Sequence, residues 1–132
     1  MARSYALLAR AILERAAEDY IDLTAGFVEP TIDCNLTEID EFVHSEFFGT
    51  LTKVDPDYFI RLLKEKASAM VATHTVGRDK NGRGWFVRPI GKPRPDRVVL
   101  YPTQKQALFE AARLSGLTFR ELMKIRKRDG VR

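Results

Sequence analysis

The sequence predicts an α+β fold: three helices in the N-terminal part, then a short β-hairpin or three-stranded sheet, then a C-terminal helical hairpin. Three observations lead to this prediction. Apolar residues recur every three or four positions up to about residue 70, which is the period of a helix with one buried face. Between about residues 72 and 101 this period is lost, and Gly, Pro and Asn-Gly signals separate short apolar runs. The helical period then returns after Pro102.

Three helices are predicted in the N-terminal part, over about residues 4–23, 36–48 and 56–71. Ser4 is expected to cap the first helix, because its hydroxyl can accept from an amide of the first turn. Asn35 and Glu38 resemble a capping box at the second helix, and Gly49 fits the left-handed position after that helix ends. Asp55 is expected to cap the third helix, ahead of a proline at the first helical position.

A β-hairpin is predicted next, with strands over about residues 70–76 and 85–87 and a basic tip between them. The tip contains Asn81-Gly82, and Asn-Gly favours the positive φ that hairpin turns need. A third short strand is expected at residues 97–101, after prolines that exclude regular structure. Because an isolated hairpin is marginal in water, we expect these strands to pack on the helices.

The last two helices are predicted from their ends. Thr103 can cap a helix that reaches about residue 114, Gly116 ends it, and Thr118 can cap a second helix that reaches about residue 127. Residues 108–127 read LFEAARLSGLTFRELMKIRK and resemble the helix-turn-helix pattern of DNA-binding proteins. Ala112 is the small residue that lets the helices approach, and Gly116 suits the turn. The apolar anchors of the second helix would be Leu117, Leu122 and Ile125.

The helix-turn-helix resemblance implies a set of nucleic-acid contacts. Thr118 would open the second helix beside the phosphates, and Arg120 and Lys124 would face the groove. A basic run follows them, composed of Arg126, Lys127 and Arg128.

Three residues depart from the pattern and leave an alternative open. Ser115 stands where the pattern has an apolar residue, and Phe119 and Met123 stand where side chains should face DNA. The alternative is a plain helical hairpin whose second helix packs Phe119, Leu122 and Met123 inward.

The tip of the hairpin is a second candidate surface for phosphates. It carries Arg78, Lys80 and Arg83, with Arg88 nearby, and Trp85 could stack on a base. The alternative is a solvated tip above a tryptophan that anchors the core.

Charge is divided between the two halves of the 132-residue chain, which has the length of a single domain. Residues 1–66 carry 7 Lys/Arg and 13 Asp/Glu, a net charge of −6, whereas residues 67–132 carry 15 and 5, a net charge of +10. We therefore expect one domain over residues 1–132, with an acidic helical part at 1–71 and a basic part at 72–132. A basic half can bind nucleic acid, but an acidic half packed against it explains the same numbers.

Catalytic and metal-binding patterns are missing from the sequence. The two histidines, His44 and His74, have no Cys or carboxylate at metal-ligand spacing, and a lone loop cysteine such as Cys34 is usually inert. One cysteine cannot form an internal disulfide, and no apolar run has the length of a membrane span. We expect a cytoplasmic, non-enzymatic protein with no cofactor, no metal and no membrane partner.

A second resemblance covers roughly residues 10–66. The segments EDY at 18–20, IDEFVHSEFFGTLT at 39–52 and VD at 54–55 are similar to small accessory proteins carried by prophages and integrative elements of Gram-positive bacteria. The resemblance implies a mobile-element protein, a class that includes regulators and inhibitors of host defence systems such as CRISPR nucleases.

Two functions follow as hypotheses. The first is a nucleic-acid-binding accessory or regulatory protein that uses the basic half. The second is an anti-CRISPR-like inhibitor whose charged, acidic half mimics nucleic acid or covers a basic groove on a host nuclease or nucleoprotein. A continuous positive face across the last two helices and the hairpin tip would favour the first function. An exposed acidic face or an apolar patch on the first three helices would favour the second.

Overall fold

The computed structural model describes residues 2–131, which form six α-helices and a two-stranded antiparallel sheet. The predicted α+β fold class is therefore confirmed. The chain divides into two compact units, Met1–Ala69 and Met70–Arg132, called unit 1 and unit 2 below. Residues 67–69 carry no charge, so unit 1 has the net charge of −6 and unit 2 the net charge of +10 counted above. The single domain over residues 1–132 stays a prediction.

Unit 1 consists of four helices: α1 (Ala2–Thr24), α2 (Leu36–Val43), α3 (Glu46–Leu51) and α4 (Pro56–Ala69). Helix α1 begins at Ala2, ahead of Ser4, so the cap predicted at Ser4 is wrong. The starts of α2 and α4 follow the predicted caps. The Asn35 side chain accepts from the Glu38 amide at 3.0 Å, and the Asp55 carboxylate accepts from the Tyr58 amide at 3.0 Å. The largest buried side chains of the unit come from all four helices and include Tyr20, Ile39, Val43, Phe48, Ile60 and Leu63.

The single helix predicted over residues 36–48 is wrong, because the chain breaks it into α2 and α3 at Ser45. Ser45 has extended backbone angles, and its hydroxyl accepts from the Phe48 amide while donating to the Phe42 carbonyl. These bonds end one helix and begin the next, since a serine hydroxyl can replace helical partners. Gly49 therefore lies inside α3 with no positive φ, and its predicted left-handed conformation is also wrong.

Unit 2 consists of strands β1 (His74–Arg78) and β2 (Trp85–Pro89), followed by helices α5 (Gln104–Leu114) and α6 (Phe119–Arg128). The strands pair with Val76 opposite Val87. The third strand predicted at residues 97–101 is wrong in extent: among the described residues it is reduced to one bridge, in which Trp85 and Tyr101 exchange two backbone hydrogen bonds of 2.9 and 2.7 Å. Pro102 follows Tyr101 directly and has no N–H to donate, so the pairing cannot continue past the bridge.

The core of unit 2 lies between the hairpin and the two helices. Leu108, Ala111, Ala112 and Leu122 form its buried centre. Val76 and Val87 of the hairpin pack against this centre, as expected for a hairpin too small to be stable by itself. Across residues 2–131, no helix is both long enough and apolar enough to traverse a lipid bilayer.

Candidate nucleic-acid interface

The turn between α5 and α6 has the geometry that the sequence predicted. Gly116 has φ +71°, in the left-handed region that glycine enters without strain. The Leu117 amide donates to the Ala112 carbonyl at 2.9 Å, and the Gly116 amide donates to the Arg113 carbonyl at 3.1 Å. These two bonds form a Schellman motif, which satisfies carbonyls at the end of α5 and turns the chain into α6.

Helix α6 has an apolar face and a basic face. Leu122 and Ile125 are 1% and 3% exposed and hold the helix on the core, as predicted for the anchors. Arg120, Lys124 and Lys127 are spaced four and three residues apart, so they share the other face of the helix. Arg120 and Lys127 are exposed and Lys124 is half-buried. We call these three residues the α6 stripe.

Arg126 lies outside the α6 stripe, and its burial opposes the predicted contact with nucleic acid, which stays a prediction. Its side chain is 7% exposed, and Nη1 donates to Thr75 Oγ1 of β1 at 3.2 Å. Burial lowers the pKa of its guanidinium, because the charged form loses water. Arg126 therefore ties α6 to the sheet. Arg128, the last residue of α6, is exposed and donates from Nε to Asp129 Oδ1 at 2.9 Å.

Thr118 is the N-cap of α6, as predicted. Its hydroxyl accepts from the Glu121 amide at 3.1 Å, and its own amide donates to Glu121 Oε1 at 2.9 Å, which completes a capping box. The Glu121 carboxylate thus occupies the positive end of the helix, where a phosphate would otherwise be attracted. A phosphate contact by Thr118 stays a prediction, and this neighbouring carboxylate opposes it.

The departures from the helix-turn-helix pattern have structural reasons. The Ser115 hydroxyl accepts from the Thr73 and His74 amides at 3.1 and 3.2 Å, so a polar residue is needed there to hold the start of β1. Phe119 stacks on Phe109 of α5, with ring centroids 4.2 Å apart. Met123 is exposed rather than packed inward. The alternative of a packed hairpin therefore holds for Phe119 and Leu122 but not for Met123.

The tip of the hairpin is organised by Asp79, a residue that the sequence analysis missed. Asp79 is 5% exposed and accepts from Arg94 Nη2 at 3.1 Å, and Arg83 Nε lies 3.6 Å from its other carboxylate oxygen. The same carboxylate accepts from the Asn81 amide at 3.3 Å. The signal was present as Asp-Lys-Asn-Gly, since aspartate at the first position of a turn bonds the backbone two residues on.

Of the other basic residues at the tip, Arg78 contacts a neighbouring side chain and Lys80 is exposed. The Arg78 guanidinium lies 5.7 Å from the centre of the Trp85 ring, which it covers. Trp85 is half-buried and bonded to Tyr101, so it belongs to the packing of the hairpin. Lys80 is exposed at the tip. The structure therefore keeps Arg78, Lys80 and Arg83 together on one hairpin, while two of the three have partners within unit 2.

Unit 1 contains a histidine, His44, whose two ring nitrogens both have hydrogen-bond partners. His44 Nε2 lies 2.9 Å from Asp57 Oδ1, and Nδ1 lies 2.8 Å from the Asp40 carbonyl oxygen. The hydrogen bond to Asp57 is the main cause that raises the pKa of His44, followed by the bond to Asp40. Within residues 2–131, no group of three or more His, Cys, Asp or Glu side chains is arranged to hold a metal ion.

Comparison with protein-family models, curated proteins and solved structures gave no match.

Proposed function

We propose that unit 2 is a non-enzymatic nucleic-acid-binding module that places the α6 stripe against phosphates. The observation that carries this proposal is the position of Arg120, Lys124 and Lys127 on one outer face of a helix whose inner face is anchored by Leu122 and Ile125. A helix held in this way presents its basic side chains as a fixed set, which is how a recognition helix meets the groove of DNA.

The charge of unit 2 supports the same function. Its net charge is +10, and several of its few acids are used inside the unit. Asp79 is paired with Arg83 and Arg94, and Glu110 is paired with Arg113. These pairings use arginines as well as acids and leave the excess of ten positive charges unchanged. Such an excess attracts the phosphate backbone by long-range steering and counterion release.

Salt-dependent binding tests the proposal. A labelled 20-base-pair duplex and its single strand are titrated with the protein at about 50 and about 200 mM salt, where phosphate contacts lose most of their strength. The double variant Arg120→Gln and Lys127→Gln should lower the slope of log K against log salt by about one unit per lost contact. Glutamine keeps the helix propensity of α6, so the fold should persist.

The matched control removes two charges elsewhere in unit 2. Lys92→Gln and Arg97→Gln change the net charge equally, and both residues are exposed in the loop after β2. This control should keep the wild-type salt slope. Equal decreases of the salt slope in both double variants would mean that binding depends on net charge and not on the position of the α6 stripe. Absence of binding to either nucleic acid at low salt would contradict the proposed function.

A second candidate function uses unit 1. Residues 16–52 contain nine Asp/Glu and no Lys or Arg. Those of α2 and α3 are exposed: Glu38, Asp40, Glu41 and Glu46. Such a surface favours an inhibitor that occupies the basic groove of a host nuclease or nucleoprotein. Asp40→Asn with Glu41→Gln should then slow association with that partner, because charge complementarity acts mainly on the association rate. A mobile-element origin would fit either function.

A further inference from the structure

An open groove in unit 2 is not used by the α6 stripe. It has a volume of about 550 Å³ and lies beside α5, where the segment after the Trp85–Tyr101 bridge enters the helix. Its lining residues are Tyr101, Pro102, Gln106, Phe109, Glu110 and Arg113. A site of this size can take one small, flat molecule or side group.

The floor of the groove includes an aromatic ring that is exposed and yet held in place. Phe109 is 50% exposed, although it lies in the middle of α5. Its ring is stacked on Phe119 with an angle of 20° between the planes. Because stacking on Phe119 restricts the rotation of the ring, Phe109 offers a preorganised flat surface. Tyr101 adds a second aromatic side chain to the same groove.

The rim of the groove carries both donors and acceptors. The Gln106 carbonyl oxygen accepts from the Thr103 amide in the capping box of α5, so the amide N–H groups of Gln106 are the part that can meet a ligand. Glu110 accepts from Arg113 Nε at 3.0 Å. This pairing lowers the pKa of Glu110 and raises that of Arg113, so both stay charged. A flat aromatic surface with both kinds of polar group at its edge matches the face and edge of a nucleobase.

Positive charge beside the groove fits the phosphates that accompany a base. Lys105 Nζ lies over the Phe109 ring, 6.0 Å from its centre, on an exposed side chain that must turn aside when a base stacks on the ring and can then meet the phosphate of that base. The unit as a whole is strongly basic. A paired base inside a duplex has both faces covered by its neighbours and cannot reach such a groove, whereas a base in a single strand can.

We infer that this groove binds one unpaired base of a single-stranded nucleic acid, stacked on Phe109 with its edge bonded by Gln106, Glu110 and Arg113. The inference rests on the proposed function of unit 2 and names its substrate class. Single-stranded segments are then bound through the groove together with the α6 stripe, and fully paired duplexes through the stripe alone.

The first test compares single strand and duplex. Phe109→Ala should weaken binding of a mixed-sequence single-stranded 15-mer by about 5- to 150-fold, the equivalent of about 1–3 kcal/mol per stacked base. Phe109→Leu, which keeps an apolar side chain but removes the ring, should weaken it as well. Binding of the paired 15-mer should stay at the wild-type level in both variants. Far-ultraviolet circular dichroism and Trp85 fluorescence check that each variant is folded.

The second test locates the base. A single strand in which thymines are replaced by 5-iodouracil is bound and irradiated, which cross-links the base to an aromatic ring stacked on it. Digestion with trypsin separates the two groove aromatics into peptides 98–105, with Tyr101, and 106–113, with Phe109. Cross-links in either peptide support the inference. Cross-links confined to other peptides, such as those of the hairpin tip, overturn it.

The outcomes separate the two proposals. If neither nucleic acid binds, both fail. The other case is that the wild-type protein binds both nucleic acids and the α6-stripe variant lowers the salt slope. If Phe109→Ala and Phe109→Leu then leave the affinity for the single strand unchanged, the base site is overturned and the role of the α6 stripe stands.

Discussion

Replacement of Gly116 by valine is expected to destabilise unit 2 through the backbone alone. Gly116 has φ +71°, and a Cβ atom added there would meet no atom within 4 Å. The cost therefore comes from the left-handed conformation rather than from a clash. That conformation costs an ordinary L-residue about 1–2 kcal/mol, and a β-branched side chain raises the strain, so we expect a loss of about 1–3 kcal/mol in the free energy of unfolding.

Urea denaturation measures this loss, and the single tryptophan makes the measurement specific. Trp85 lies in unit 2, so its fluorescence reports the unfolding of that unit. Gly116→Asn is the matched control at the same position, because asparagine tolerates positive φ better than valine does. Its loss should be clearly smaller than that of Gly116→Val.

Gly49 provides a control substitution that should raise the free energy of unfolding instead of lowering it. Gly49 lies inside α3, and a Cβ atom there would also meet nothing within 4 Å. Gly49→Ala should therefore stabilise unit 1 by up to about 1 kcal/mol, the difference in helix propensity, as followed by circular dichroism. An unchanged urea midpoint for Gly116→Val, or equal effects of Val and Asn, would refute the argument from backbone strain.

Three further predictions concern side chains. Leu122→Ala should lower the free energy of unfolding of unit 2 by about 2–5 kcal/mol, because it opens a cavity in the core; a loss well under 1 kcal/mol in urea denaturation would count against that packing. Arg126→Met should leave the salt slope of nucleic-acid binding unchanged, since its guanidinium is turned toward Thr75; a slope lower by about one unit would return Arg126 to the interface. The pKa of His44 is raised, so its imidazole holds a proton more tightly in the folded state than in the unfolded state. The protonated side chain therefore stabilises the fold fully below the reference pKa of 6.5, and this stabilisation is lost as pH rises through the folded-state pKa. Thermal unfolding of wild type and His44→Gln should therefore differ most at mildly acidic pH and converge at alkaline pH, and a difference that is constant across this range would contradict the link to Asp57.

Features that depend on neighbours in sequence could be predicted from the sequence. The caps at Asn35, Thr103 and Thr118 need a side-chain oxygen three residues before an amide, and Gly116 needs only the absence of a Cβ atom. The basic face of α6 follows from helical spacing in the same way. The break at Ser45 is also local, but apolar residues recur with helical spacing across it, and this spacing predicts one continuous helix.

Only the tertiary structure decided which charged and aromatic side chains are available to a partner. Arg126 is as basic as Lys127 in the sequence, yet packing against β1 buries it and leaves Lys127 exposed. Asp79 accepts a hydrogen bond from Arg94, fifteen residues away in the chain. Phe109 of α5 stacks on Phe119 of α6 across the turn between these helices. The sequence by itself determined the caps at Asn35, Asp55, Thr103 and Thr118, the turn at Gly116 and the net charges of the two halves. Their burial and pairing depend on contacts between residues distant in the chain, and these contacts exist only once the elements have packed.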